Sequence, residues 1–369
     1  MRCPSKVAFV CLTAATVGLG TAQIASAQQQ KAEQNAAPSF SPAAVNATDT
    51  PALARGATGP AVLRAQVMLD RVGFAPGVID GSFGMLMERA IRAYQQARGV
   101  RVTGRLDAAT WAALPREKHP PLARLAISAE DAAGPFEASI PQDMAAKAKL
   151  ATLNYASVEE ALAEKFHTTP AFLKQLNPGV DFRRPGTAIL VPNVRGVASM
   201  PAGAAAPVGN AAANPVTWEE MVHELSVQPR LPKAAKVIVD KSDTSVRAVD
   251  AQGRTIAFFP ATIGSEKDPL PIGNWTIKGT AKLPPFNYNP DLFWDAEPGD
   301  KKAKIPPGPN NPVGIAWLDL SKPHYGIHGT PEPSTISRSE SHGCIRLSNW
   351  DVARLAAMVS PGTPAVLQE

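Results

Sequence analysis

The sequence predicts a multidomain protein in which a small three-helix module and a second small module, of βααβ type, precede a mostly-β domain. The chain has 369 residues, whereas one domain usually has roughly 100–200. Apolar residues recur at helical spacing between 51 and 115, and short β-rich runs dominate residues 236–368. Between these patterns, residues 195–215 are rich in Ala, Gly and Pro, which is typical of a linker.

The composition excludes several classes of protein. With 44% hydrophobic and 19% charged residues the chain can bury a core, so disorder throughout is excluded. A net charge of +5 is too small to indicate binding to nucleic acid, which usually needs clustered basic residues. The apolar runs are shorter than the roughly 20 residues of a membrane helix, so we expect no transmembrane span in the mature chain.

Residues 1–27 have the three-part pattern of a secretory signal peptide. Arg2 and Lys6 precede an apolar run, and Ala25-Ser26-Ala27 forms a small-residue cleavage site. We therefore expect an exported protein; an uncleaved N-terminal anchor is the alternative. Cleavage would leave a net charge of +3, and of the three cysteines only Cys344 would remain. Such a lone thiol cannot belong to a disulfide framework.

Two segments follow the signal peptide. Residues 28–50 are polar and without apolar periodicity, so we expect a disordered leader. Residues 51–115 predict three helices, the third of them capped by Asp107. The residues of this segment on their own predict only a small helical bundle.

The helical segment resembles a known binding module, the helical peptidoglycan-binding domain. The resemblance rests on Leu53-x-x-Gly56, Gln66, Asp80-Gly81-x-Phe83-Gly84, Tyr94-Gln95 and Thr103-Gly104. It implies that this module binds peptidoglycan.

Residues 148–194 form a second small unit. Val158–Phe166 is amphipathic, a second helix begins at Pro170, and Ala188–Pro192 is typical of a short buried strand. The run from Leu176 to Pro192 is similar to the lysin motif, a glycan-binding module of βααβ type. A plain helical spacer is the alternative.

The chemistry-bearing residues cluster near the C-terminus. His324, His328 and His342 fall within 19 residues, and Cys344 lies two positions beyond the last of them. A thiol attacks as the thiolate, so a neighbouring imidazole that takes its proton would activate it. A buried apolar cysteine and a zinc site made of these four residues are the alternatives. Upstream, residues 284–312 contain eight prolines and several aromatic residues, and we expect an ordered wall without regular secondary structure.

Two motifs in this cluster are similar to the catalytic signature of the L,D-transpeptidases. They are Tyr325-Gly326-Ile327-His328-Gly329-Thr330 and Ser341-His342-Gly343-Cys344-Ile345-Arg346. The resemblance extends over 236–368 and implies a mostly-β catalytic domain with a helix near the active site. The implied activity is peptidoglycan cross-linking through a thioester on Cys344, with no cofactor and no metal.

The resemblance also implies roles for individual residues. Cys344 would be the nucleophile, His328 the proton donor and acceptor, and His342 an orienting residue or an alternative base. The backbone N–H of Gly343 would stabilise an oxyanion. The expected substrate-binding residues are Arg346, Ser341, Tyr325 and Gly329; for Arg346 a structural salt bridge is an equal alternative.

The expected partners are peptidoglycan stem peptides and glycan, and the expected location is the periplasm, in association with the cell wall. The implied role is in cell-wall organisation and cell shape. Three alternatives stay open: a peptidoglycan-binding adaptor with weak or no catalysis, an L,D-carboxypeptidase that uses the same site, and an enzyme that tethers an outer-membrane protein to the wall.

Overall fold

The structure is a computed structural model that describes residues 39–201, 217–228 and 230–369. The predicted signal peptide (1–27) and most of the predicted linker (195–215) lie outside these residues. Within the described ranges no helix is both long enough and apolar enough to cross a membrane.

The prediction of a disordered leader is wrong for residues 39–50. Helix α1 (Pro42–Val45) is capped by Ser41, and Phe40 packs edge-to-face on Phe172 with ring centroids 5.0 Å apart. Val45 is fully buried, and the side chain of Asn46 exchanges hydrogen bonds with the backbone of Leu122. Two apolar anchors in a polar segment are too few to create a periodicity, which is why the sequence pattern did not reveal them.

The helical module has the three predicted helices: α2 (Pro60–Arg71), α3 (Met85–Ala97) and α4 (Ala108–Ala113). Asp107 caps α4 as predicted, because its carboxylate accepts the N–H of Thr110 at 2.9 Å. The side-chain oxygen of Gln66 accepts the backbone N–H of Gly81 at 2.8 Å and so ties the segment Asp80–Gly84 to α2. This confirms an N-terminal helical module.

The middle module contains two strands and four short helices. These are β1 (Leu122–Ala126), α5 (Ala129–Ala133), α6 (Met144–Lys147), α7 (Val158–Lys165), α8 (Pro170–Leu176) and β2 (Ala188–Pro192). β1 pairs antiparallel with β2, so the first strand lies upstream of the predicted boundary at 148. The lysin-motif resemblance stays a prediction.

The C-terminal domain is built on one nine-stranded sheet, preceded by helix α9 (Trp218–Glu224). Its strands are β3 (Lys236–Asp240), β4 (Ser245–Val249), β5 (Thr255–Pro260), β6 (Thr262–Ile263), β7 (Gly273–Lys282), β10 (Ala316–Leu320), β11 (Gly326–His328), β12 (Ile345–Arg346) and β13 (Pro364–Gln368). The order across the sheet is β5-β4-β3-β13-β7-β10-β11-β12-β6. Only Ala261 separates β5 from β6, which stand at opposite ends of this order, so the sheet nearly closes on itself.

The helix expected near the active site is present as α10 (Asn349–Met358), capped by Ser348. Its buried Trp350, Val352 and Leu355 belong to the core of the C-terminal domain.

The proline-rich residues 284–312, here named the flap segment, contain a short hairpin in which β8 (Phe286–Tyr288) pairs antiparallel with β9 (Ala303–Ile305). The expected lack of regular structure is therefore wrong for these six residues. Strands of three residues are too short to show an alternation in the sequence.

The helical module covers one edge of the sheet. Ala75 donates its backbone N–H to the carbonyl of Phe258 on β5 at 2.9 Å, and the N–H of Phe258 donates to the carbonyl of Gly73 at 2.9 Å. A paired edge strand has no row of open backbone groups. The helical module and the C-terminal domain thus share a backbone contact as well as side-chain packing.

Candidate active site

Two parallel strands bring the predicted nucleophile and base together. On β11 and β12, Ile327 pairs with Ile345 and His328 pairs with Arg346. Cys344 directly precedes β12 and stands two positions before Arg346, the residue that pairs with His328. The charge of Arg346 acts on both His328 and Cys344, so the two groups lie around one guanidinium.

The Cys344 thiol is a partly exposed free cysteine. It donates to the backbone carbonyl of His324 with Sγ 3.7 Å from the oxygen. Burial raises the pKa of the thiol above its ordinary value, although the nearby backbone N–H of Gly326 acts in the opposite direction. The thiol is therefore protonated at neutral pH and needs a base to become a nucleophile. The side chain of His324 is exposed, and only its carbonyl meets the thiol.

His328 is held as a neutral imidazole. The side chain is 4% exposed and stacks on Trp317, with centroids 5.3 Å apart and planes 12° apart. Burial lowers its pKa to about 4. Its Nδ1 lies 2.7 Å from the carbonyl of Gly329, which can only accept, so we assign the proton to Nδ1. This leaves the lone pair of Nε2 free to take a proton.

The turn before Cys344 requires a glycine. Gly343 has a φ of +85°, and a Cβ there would stand 2.7 Å from the Tyr325 ring. Beneath the turn, the buried Ser341 donates its hydroxyl to the carbonyl of Cys344 at 2.6 Å. The backbone N–H groups of Gly343 and Cys344 donate to no other residue in the part of the chain that the structure describes. Two free donors thus stand beside the sulfur.

Arg346 is half-buried beside the thiol, and burial lowers its pKa below the ordinary value. Among the described residues no carboxylate lies within 4.0 Å of its guanidinium, so the structural salt bridge considered from the sequence is not formed there. Cys344, Glu332 and Asp295 act in the opposite direction and raise its pKa. The guanidinium is therefore available for an anionic ligand.

Gly329 is a packing position, buried against α10. A Cβ at Gly329 would collide with the side-chain oxygen of Asn349. Asn349 in turn accepts the N–H of Ile315 at 3.2 Å and donates to Glu164 Oε1 of the middle module at 3.1 Å. Glu164 is buried, which raises its pKa to about 8, and it also accepts the hydroxyl of Tyr155 at 2.9 Å. The sequence offered no signal for Asn349 or Glu164 behind the site.

His342 points to the flap segment: its Nε2 lies 2.7 Å from Asp295 Oδ1. All four predicted catalytic residues thus lie around one turn and one strand pair.

The predicted zinc alternative finds no matching geometry, since no group of three or more His, Cys, Asp or Glu side chains within the described ranges is arranged to hold a metal ion. For Ser341, Tyr325 and Gly329, contact with a substrate stays a prediction.

Comparison with known proteins identifies two domains. Residues 234–367 match the L,D-transpeptidase catalytic domain, and residues 58–114 match the putative peptidoglycan binding domain. The putative L,D-transpeptidase YkuD of Bacillus licheniformis is 27% identical over 206 residues, which are 55% of this chain and 89% of that protein. The probable L,D-transpeptidase YbiS of Escherichia coli is 31% identical over 131 residues, 34% of this chain and 42% of that protein. The solved L,D-transpeptidase of Xylanimonas cellulosilytica is 17% identical, with a TM-score of 0.34 over 87% of this chain and 98% of that one.

Proposed function

We propose, from the L,D-transpeptidase catalytic domain that the chain contains, that this protein is an exported enzyme that cross-links peptidoglycan through a thioester on Cys344. The observation that carries the proposal is the neutral His328 imidazole with its free Nε2, whose strand partner, Arg346, stands two positions after Cys344. The peptidoglycan-binding domain at 58–114 supports the cell wall as the place of action.

In the first half-reaction a donor stem peptide acylates the thiol. A turn about the Cα–Cβ bond of Cys344 would take the thiol from the His324 carbonyl towards His328 Nε2, which accepts the proton. Sγ then bonds to the carbonyl carbon that precedes the terminal D-residue. The C–N bond breaks, the proton on Nε2 passes to the leaving amine, and a free D-amino acid departs.

The oxyanion that forms in this step needs donors that are already in place. The N–H groups of Gly343 and Cys344 are free of other partners among the described residues, and the positive φ of Gly343 sets their direction. Losing one such donor typically costs about 10²–10³ in rate.

In the second half-reaction an amine of another stem attacks the thioester carbonyl. Nε2 of His328 takes the amine proton, the C–S bond breaks, and Cys344 leaves as the thiolate that is then protonated. The product is one new amide bond between two stems. Arg346, without a carboxylate partner within 4.0 Å among the described residues, would bind a stem carboxylate during both steps.

Acylation is the direct test. The purified full-length mature chain is incubated with a tetrapeptide-stem muropeptide, and the intact protein is weighed by mass spectrometry. We expect an adduct on the wild type, none on Cys344→Ala, and about 10²–10⁴-fold slower formation on His328→Ala. His324→Asn is the matched control and should acylate normally, because only the backbone carbonyl of His324 meets the thiol.

The fate of the thioester is read from sacculi treated with the same enzyme. New cross-linked dimers in the muropeptide profile support the proposal. Shortened stems without dimers would show that the enzyme is a carboxypeptidase. An amide bond to an added protein would show that it is a tethering enzyme. Binding to sacculi with neither an adduct nor a changed profile would leave a wall-binding adaptor and overturn the proposed function.

A further inference from the structure

The flap segment meets the active-site turn through one polar pair. Asp295 Oδ1 lies 2.7 Å from His342 Nε2, the side chain of His342 is 20% exposed and that of Asp295 is 48% exposed. His342 stands two positions before Cys344, so this pair ties the flap segment to the turn that carries the thiol.

Two aromatic residues next to Asp295 enclose the same imidazole. Phe293 meets the His342 ring edge-on with centroids 4.8 Å apart, and Trp294 lies 5.4 Å away at an interplanar angle of 39°. Three consecutive residues of the flap segment therefore contact one side chain, and Asp295 supplies the only directional bond of the three. Apolar contacts hold a ring in place, whereas a hydrogen bond also fixes its rotation.

From this geometry we propose that Asp295 is a positioning residue that holds His342 and thereby fixes the flap segment as a wall of the cleft over Cys344. The inference rests on the proposed function for its meaning in catalysis. Nε2 of His342 is occupied by the carboxylate, which leaves Nδ1 as the only other ring nitrogen. His342 therefore anchors the flap segment to the turn before Cys344, and the proton transfer is left to His328.

A second contact joins the flap segment to the loop that follows β6. Lys267 Nζ lies 3.7 Å from the centroid of the Trp294 ring, and the loop that carries Lys267 begins at Gly264, whose carbonyl accepts the N–H of Ser341. Trp294 is 48% exposed, and an exposed cation–π contact is weak. The flap segment is thus held firmly at Asp295 and weakly at Trp294. A bulky stem peptide could therefore displace the Lys267–Trp294 contact while the Asp295–His342 bond stays in place.

The experiment compares Asp295→Asn and Asp295→Glu with Glu297→Gln, which removes the same charge from an exposed position two residues away. The rate of tryptic cleavage at Lys301 and Lys302 measures how mobile the flap segment is. The rates at which Cys344 reacts with a bulky maleimide and with the smaller iodoacetamide measure access to the thiol. We expect Asp295→Asn to raise tryptic cleavage and the maleimide rate roughly fivefold, the effect of weakening one partly exposed hydrogen bond to a carboxylate, with little change for iodoacetamide. Asp295→Glu should restore part of the difference, and Glu297→Gln should match the wild type.

Kinetics then separates positioning from catalysis. For acylation by the tetrapeptide stem, Asp295→Asn should raise KM by roughly fivefold and leave kcat within about twofold. Wild-type cleavage, labelling and KM in Asp295→Asn would overturn the inference, as would the same changes in Glu297→Gln. If the wild type is not acylated at all, the proposed function fails, yet the trypsin and labelling measurements still decide the role of Asp295.

Discussion

Asp70 on α2 and Arg354 on α10 form a buried two-point ion pair between the helical module and the C-terminal domain. Their oxygen–nitrogen distances are 2.6 and 3.0 Å, and Nδ1 of His167, from the middle module, lies 3.0 Å from the same carboxylate. Burial alone would raise the pKa of Asp70, but the charge of Arg354 and the bond to His167 outweigh it and hold the pKa below its usual value. The three modules therefore meet at one buried carboxylate.

Asp70→Asn should destabilise the protein because it removes the nearer counter-charge of the buried Arg354 guanidinium and leaves only Asp351, 3.5 Å away. We expect the free energy of unfolding, measured in urea, to fall by about 3–5 kcal/mol. Asp291→Asn is the control: Asp291 faces Lys302 at 3.6 Å with both side chains exposed, and its loss should cost at most about 1 kcal/mol. A loss for Asp70→Asn no larger than that control would contradict a shared junction.

The same carboxylate predicts acid sensitivity. Its folded pKa lies below the unfolded value of about 3.9, so its stabilising contribution is complete above that pH and is lost as the pH falls below it. The wild type should lose stability more steeply than Asp70→Asn between about pH 4 and pH 2. Thermal melts across this range measure it, and parallel curves for the two proteins would refute the assignment.

The pH dependence of the thiol distinguishes a neutral Cys344–His328 pair from a preformed ion pair. The pKa of Cys344 is raised by burial, and that of His328 is lowered by burial to about 4. Alkylation of Cys344 by iodoacetamide should therefore rise about tenfold per pH unit between pH 6 and 8, following the thiolate fraction. A rate that is flat over this range would mean a stable thiolate–imidazolium pair, contrary to the structure.

Gly343 should not tolerate a side chain. A Cβ there would approach the Tyr325 ring to 2.7 Å in a backbone conformation with φ +85°. We expect Gly343→Ala to slow acylation at least about 10²-fold, because the turn must shift and with it the N–H donors. Gly253→Ala carries a similar strain, φ +77°, with no atom within 4 Å of the new Cβ. Gly253→Ala should therefore acylate like the wild type, and a Gly343→Ala variant that acylates as fast as Gly253→Ala would contradict the prediction.

Local pattern predicted most of the C-terminal domain and the four residues around the thiol. His328, Gly343 and Cys344 could be singled out because they lie within one short stretch whose glycines and lone cysteine are visible in the sequence. Asp295 and Glu164 could not, since they reach the site from 47 and 185 positions away through packing that leaves no periodic trace. The proline-aromatic run predicted an ordered segment, but nothing in it marked Asp295 as the residue that touches His342.

Glu164 gives the stability of the chain a pH dependence of the opposite sign to that of Asp70. Burial raises its pKa to about 8, whereas the unfolded value is about 4.3. Its contribution to stability is therefore complete below about pH 4 and is lost as the pH rises through about 8. Asp351, whose pKa burial raises to about 7, acts in the same direction.

Replacing Glu164 by glutamine should flatten this dependence. The Tm of the wild type should fall between pH 5 and 8, and that of Glu164→Gln should fall by clearly less, because the amide does not titrate. Glu159→Gln serves as control, since Glu159 is on the same helix, faces the exposed Lys174 at 3.4 Å and should keep the wild-type slope. Deprotonation of Glu164 should also affect the active site. Glu164 accepts a hydrogen bond from Asn349, whose side chain packs against Gly329 beside His328. Equal slopes in all three proteins would show that Glu164 does not hold a proton in the folded state.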